Sequence, residues 1–155
     1  GGAVIAKKNT IEKVKQYINF GFDAERIPRR PGMNAKISEY TAAIGLAVLE
    51  KMPAAIERRC QIRDIYQREL GDLIPISYLP AVYQAMPIFF HADHLRARAV
   101  RTKLQQAAVE ILQYYRPLIT AAPVADMLFQ TNICLPCHQD LTDDEVHFIC
   151  NLVKS

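Results

Sequence analysis

The stretch NICLPCHQDLTDDEV, residues 132–146, supports two incompatible folds, and the choice between them shapes every other reading. Its first half holds Cys134-Leu135-Pro136-Cys137-His138, the C-x-x-C-H spacing by which c-type cytochromes attach haem. Its second half holds Thr142-Asp143-Asp144-Glu145, a T-x-x-E box in which hydroxyl and carboxylate satisfy the orphan N–H groups of a new helix. Val146, Ile149, Cys150 and Val153 then recur at i, i+3, i+4 and i+7, one apolar helical face. A haem motif usually sits early in a small domain, with a distant second axial ligand. Here Pro136 stiffens the pair and a capped helix follows at once. The stretch therefore reads as a short connector into a helix, and neither cysteine reads as catalytic.

Composition agrees with an ordinary globular chain. Half of the 155 residues are hydrophobic and 23% are charged, enough for one core or for one domain with an appendage. The formal charge of +3 is too small to imply nucleic acid but suits a protein that meets phosphates. Ala3-Val4-Ile5-Ala6 is too short for a secretory core, and no run approaches the ~20 apolar residues of a membrane span. The expectation is a cytoplasmic protein whose four cysteines are reduced thiols.

Working back from the capped helix, the pattern predicts an α+β domain with a small antiparallel sheet packed against helices. Residues 1–6 read as a buried strand, and Asn9 with Glu12 as the start of a helix lined by Ile11, Val14 and Ile18 and stopped near Gly21. Phe22 to Pro31 is an irregular basic loop. Ser38 caps an apolar helix whose Ala42, Ala43, Gly45 and Ala47 permit close approach of another element. Pro53 suits the first turn of a separate helix that Gly71 ends. Asp72 to Met86 reads as loop with room for a strand, and PIFF (87–90) as a strand. A helix from His91-Ala92-Asp93 carries Leu95, Ala99 and Leu104 inward, with Arg96, Arg98, Arg101 and Lys103 outward. VEILQYY (109–115), including Tyr114 and Tyr115, reads as a strand, and a long connector runs on to Thr142.

Four stretches, in order and spanning nearly the whole chain, resemble the C-terminal half of the DegT/DnrJ/EryC1/StrS sugar aminotransferases. They are GGAVIAKKNTIEKVKQYINFGF (1–22), GMNAKISEYTAAIGLAVLEKM (32–52), the MPIFF and HLRARAV to YYRPL run (86–118), and CLPCHQDLTDDEVHFICNLV (134–153). The second is the most specific, being similar to the family's G-x-N-x-R/K-x-S-E-x-x-A-A-I-G-L block. The resemblance implies an aspartate-aminotransferase (fold type I) architecture. Residues 1–30 would be a strand and helix of the large domain, and 31–155 the small domain with inter-domain helices. It implies pyridoxal 5'-phosphate as cofactor, a homodimer, and transfer of an amino group from glutamate to a nucleotide-linked keto-sugar, of which a dTDP-sugar is the nearest match. Neither a nucleic acid nor a membrane is an expected partner.

The resemblance also assigns residues. Asn34 falls on the asparagine that reaches the cofactor phosphate in the partner subunit; read alone, it better suits a left-handed or turn conformation after Gly32. Lys36 falls near the substrate's phosphates, with a solvated lysine as the alternative. Arg29 and Arg30 would extend the same positive patch, or simply belong to a solvated loop. Ser38 and Glu39 are explained by capping and the helix dipole, and His138 by connector packing. The Arg96–Lys103 cluster permits a nucleic-acid or acidic-partner face, but it lacks interleaved aromatics. The family's Schiff-base lysine lies upstream of the Gly-Gly strand, and Lys7 and Lys8 lie downstream of it. This chain alone is therefore expected to be inactive. The alternative from another class is a non-catalytic binding or assembly module built on the same small domain.

Overall fold

The T-x-x-E signal is realised in full in the computed structural model of the chain. Thr142 Oγ1 accepts from Glu145 N at 3.3 Å, and Glu145 Oε2 accepts from Thr142 N at 2.8 Å. The helix so started, α5 (Asp143–Lys154), buries Val146, Ile149, Cys150 and Val153, the face its periodicity predicts. The structure describes residues 2–74, 84–119 and 122–155. Numbering the rest in chain order, α1 is Lys8–Tyr17, α2 Glu39–Leu70, β1 Ala85–Phe89, α3 His94–Gln106, α4 Pro123–Thr131 and β2 Asn132–Pro136. A short 3-10 turn, Gly71–Leu73, closes α2 at the expected glycine. The chain divides into two units, Gly1–Lys51 and Met52–Ser155.

In residues 52–155, β1 and β2 form an antiparallel pair, with Met86 opposite Leu135 and Ile88 opposite Ile133. The expected small antiparallel sheet is therefore present. Ile62, Ile65, Tyr66 and Leu70 recur on one face of α2, and Ala97, Val100 and Leu104 on one face of α3. With the buried face of α5 they close a core in which Ile62, Tyr66, Ile88, Leu104, Ile133 and Leu135 have no exposed surface. Burying each such side chain contributes about 1.5–3 kcal/mol. The Tyr66 hydroxyl, carried into that core, donates to Pro136 O at 3.0 Å, so its polar atom is not stranded.

Several expectations are corrected. Residues 132–136 are a strand, not a connector: Asn132 to Leu135 are all buried, and a strand covered on both faces shows no polar–apolar alternation to read. The connector before it contains α4, which Pro123 opens as a favourable first-turn residue. VEILQYY is not a strand. Only Leu112 pairs, exchanging bonds of 3.1 and 2.8 Å with Cys134. Side chains hold the remainder, Gln113 donating to Phe129 O and Asn132 Nδ2 to Tyr114 O. On α3, Leu95 and Ala99 face outward, because Asp93 accepts from Arg96 N and that cap turns Ala97 and Val100 inward instead.

In residues 1–51, Gly2 to Ala6 are exposed and unpaired rather than a buried strand, with Ile5 97% accessible. A strand needs a neighbour to take its ladder bonds, and the described residues offer none. Helix α1 starts from Lys7, not Asn9, and no side chain caps it. Ile11, Val14 and Ile18 do share its half-buried face. Ser38 caps α2 as expected, accepting from Thr41 N at 3.1 Å. The helix then continues through Pro53 instead of restarting there. Gly45 meets nothing within 4 Å where a side chain would point, so the close approach expected at the small residues is absent among the described residues. The expected loop at 72–86 falls largely on residues 75–83, outside those described.

Candidate functional site

The four residues assigned by resemblance all lie in the loop that leaves α1 and returns to the start of α2. Two glycines set its shape. Gly21 takes φ +76, and a Cβ there would lie 1.8 Å from Arg30 O; a Cβ on Gly32 would lie 2.1 Å from Gly21 N. The two backbone segments therefore cross where only hydrogen can stand between them. Bonds on one side of the crossing complete the neck: Met33 N to Tyr17 O (2.8 Å), Phe20 N to Met33 O (3.1 Å) and Ala35 N to Ile18 O (3.0 Å). Asn34 pairs across it with Asn19.

This pairing settles the conformation of Asn34. Its φ is not positive, and it stands in an extended segment rather than a left-handed turn. Its side chain is exposed and, among the described residues, its carboxamide has no hydrogen-bond partner. Lys36 follows on the same face at i+2. Its Nζ donates to Asn19 Oδ1 at 2.5 Å and lies 5.1 Å from the centre of the Phe20 ring. Arg30 places its guanidinium 5.3 Å from the centre of the Tyr17 ring, with a buried Nε that meets no acceptor among the described residues. Arg29 differs. Its Nε donates to Asp23 Oδ2 at 2.7 Å, and Asp23 Oδ1 also accepts from Glu25 N and Ile27 N, both at 2.9 Å. The Arg29 bond, then the backbone amides, hold the Asp23 carboxyl below its ordinary 3.8. Arg29 is thus a strut of the loop.

Neither the Gly21–Gly32 crossing nor the two cation–ring pairs was foreseen. The Phe20-Gly21-Phe22 stretch and the Gly32-x-Asn34 spacing were visible signals, but their meeting is a tertiary fact. Phe20 carries a second surprise, a φ of +57. A bulky side chain held there costs about 1–3 kcal/mol of backbone strain.

The other candidates are placed in structural roles. Cys134 and Cys137 are 6% and 1% exposed, within the core of residues 52–155. Burial pushes the Cys137 thiol up to about 11 and raises that of Cys134, the reverse of what a nucleophilic or redox thiolate needs. All four cysteines are free. His138 is about half exposed, with Nδ1 3.7 Å from Asp140. In the basic cluster, Arg96 lies over Phe90, Arg101 donates to Gln130 O and Asn132 O, and Lys103 reaches Ser155. A cleft of about 460 Å³ in residues 52–155 is lined mainly by apolar groups such as Ala107, Leu112, Leu141 and Phe148. Its Glu145 is committed to the capping box. No helix among the described residues is long and apolar enough to cross a membrane.

Known proteins resemble this chain in sequence and in fold. The profile of the DegT/DnrJ/EryC1/StrS aminotransferase family matches residues 1–154. The dTDP-4-amino-4,6-dideoxy-D-glucose transaminase of Escherichia coli is 28% identical over 99% of this chain and 47% of its own. Spr1654 of Streptococcus pneumoniae, in its PMP form, superposes with a TM-score of 0.83 at 20% identity, over 99% of this chain and 44% of that one. Helicobacter pylori PseC, an aminotransferase involved in the biosynthesis of pseudoaminic acid, gives 0.82 at 20% identity, over 96% and 46%. The chain thus spans about half the length of the curated relatives it matches. Its fold is that of the fold type I sugar aminotransferases, whose cofactor is pyridoxal phosphate. With its motif glycines forming the crossing and its motif asparagine left free beside them, the chain belongs to the DegT/DnrJ/EryC1/StrS aminotransferase family.

Proposed function

We propose that this chain is the C-terminal part of an enzyme that transfers an amino group from glutamate to a nucleotide-linked keto-sugar, most closely a dTDP-sugar. One observation carries the reading: the exposed Asn34 carboxamide, which has no protein partner among the described residues and is fixed in an extended segment beside Lys36. An amide N–H so placed is a ready donor to a phosphate oxygen. Pyridoxal phosphate, when bound, supplies the electron sink for moving an amino group. The chain's own part is positional. Asn34 donates to the cofactor phosphate of a partner subunit. Lys36 and Arg30 meet the diphosphate of the substrate, and Arg29, paired with Asp23, shapes the loop that carries them. In this reading the Schiff-base lysine comes from the rest of the relatives' length, while Lys7 and Lys8 stand at the start of α1.

In the same reading, residues 1–30 belong with the large domain and 31–155 form the small domain. The enzyme works as a cytoplasmic homodimer. Supporting the dimer, α2 exposes Tyr40, Ile44, Leu46, Val48 and Leu49, and Met33 and Ile37 precede them. A helix segment apolar all round is one that larger assemblies cover.

Two measurements test this. In the complete protein, Asn34→Ala should lower the pyridoxal phosphate retained after gel filtration, read by its absorbance; retention equal to the parent would overturn the assignment. Glutamate-dependent amination of a dTDP-keto-sugar should appear in the complete protein and be absent from the 155-residue chain alone.

A further inference from the structure

Two half-exposed rings stand under two cations in residues 17–36. Tyr17 is 48% and Phe20 47% accessible, and Arg30 and Lys36 sit over them at 5.3 and 5.1 Å. Phe20 moreover holds its ring out from a left-handed backbone, φ +57, where a glycine or asparagine would carry no strain. The cations are equally unusual in their neighbours. Arg29 is paired with Asp23, whereas neither Arg30 nor Lys36 has a carboxylate partner among the described residues. Lys36 is steadied instead by the neutral oxygen of Asn19. The loop therefore keeps two positive charges in fixed places without neutralising them. That arrangement suits a ligand bringing two negative centres.

Resting on the aminotransferase reading, we propose that Phe20 and Tyr17 are positioning residues of its substrate site. Their ring faces hold Lys36 and Arg30 in place to receive the diphosphate of a nucleotide. The rings act through the cations and touch no reacting atom.

The test titrates the complete protein with thymidine diphosphate and with inorganic pyrophosphate by calorimetry. Lys36→Met and Arg30→Met should each weaken both probes about tenfold, the loss of a charge-assisted bond. Phe20→Leu and Tyr17→Leu, which remove the ring quadrupole but keep apolar bulk, should weaken both about two- to fivefold. Phe20→Tyr should restore the parent affinity, a rescue that a packing role would not single out. Phe20→Leu binding as the parent does, or a loss confined to thymidine diphosphate, would overturn the proposal. Should Phe20→Leu fail to fold, Asn19→Ala releases the ammonium while leaving the ring; two- to fivefold weaker binding supports the proposal, and unchanged binding sinks it. Glutamate-dependent amination is followed separately. Its absence from the parent protein removes the aminotransferase reading, while the binding series still decides whether the rings position a diphosphate site.

Discussion

Between Met52 and Ser155, nineteen buried side chains close on one another around the β1–β2 pair. Between Gly2 and Lys51, the only buried residue is Gly21. The first region owes its shape to apolar burial, and loses it in proportion to the atoms removed. The second owes its shape to a backbone crossing, an aspartate that gathers its loop, and a helix cap. Its apolar side chains are left outward, so their contribution awaits a surface outside the described residues.

The contrast breaks first at the core. Leu135→Ala should lower the unfolding free energy by about 2–5 kcal/mol in urea titration, since a fully buried side chain leaves a cavity. A loss below 1 kcal/mol would mean the β2 face is not packed as described. Next, Gly32→Ala should cost about 1–3 kcal/mol through overpacking, because its Cβ would stand 2.1 Å from Gly21 N and the backbone must shift to admit it. Hydrogen exchange should then accelerate at the Phe20 and Met33 amides, which bridge the neck, and stay slow in β2. Uniform acceleration would erase the distinction between the two regions. Smaller is the cap: Thr142→Ala should cost about 1 kcal/mol through the loss of the two bonds its hydroxyl makes with Glu145.

Titration sharpens the same contrast. Burial lifts the Cys137 and Cys150 thiols from 9.0 to about 11. The folded chain then holds protons that the unfolded chain releases. Their stabilisation is complete below about pH 9 and is lost as pH rises towards 11. Urea midpoints should fall over that window, and less so in Cys150→Ala. In the other region the titrating group is a carboxyl. Asp23 is held below 3.8, so its contribution is present at neutral pH and fades on acidification below that value. The smallest expected effect is Ile44→Ala, within about 0.5 kcal/mol in the isolated chain, because that side chain is 48% exposed. A core-sized loss there would show that α2 is covered by another copy in solution.

What could be read from the sequence followed the range of the forces involved. The capping box and the α5 face are local, spaced within one or two turns, and both were legible. So were Ser38 as a cap and Gly71 as a stop. The strand at 132–136 was not, because burial on both faces removes alternation, and its C-x-x-C-H drew attention to chemistry instead of packing. VEILQYY has strand composition but meets a partner at Leu112 alone, which only the tertiary structure decides. At the candidate site, Asn34 and Lys36 were singled out through the G-x-N block. Tyr17 and Phe20 were not, since the rings meet their cations across 13 and 16 positions of sequence.

The glycine crossing also bears on what the chain can tolerate in length. Residues 22–31 form an excursion whose two ends are already held together at the neck, so closing it is done once and locally. For such a loop, doubling the length adds only about 0.6 kcal/mol of closure entropy. Insertions at its tip, around Glu25 and Arg26, should therefore leave Asn34 where it stands, whereas a single added residue between Gly32 and Asn34 would turn the amide to the opposite face.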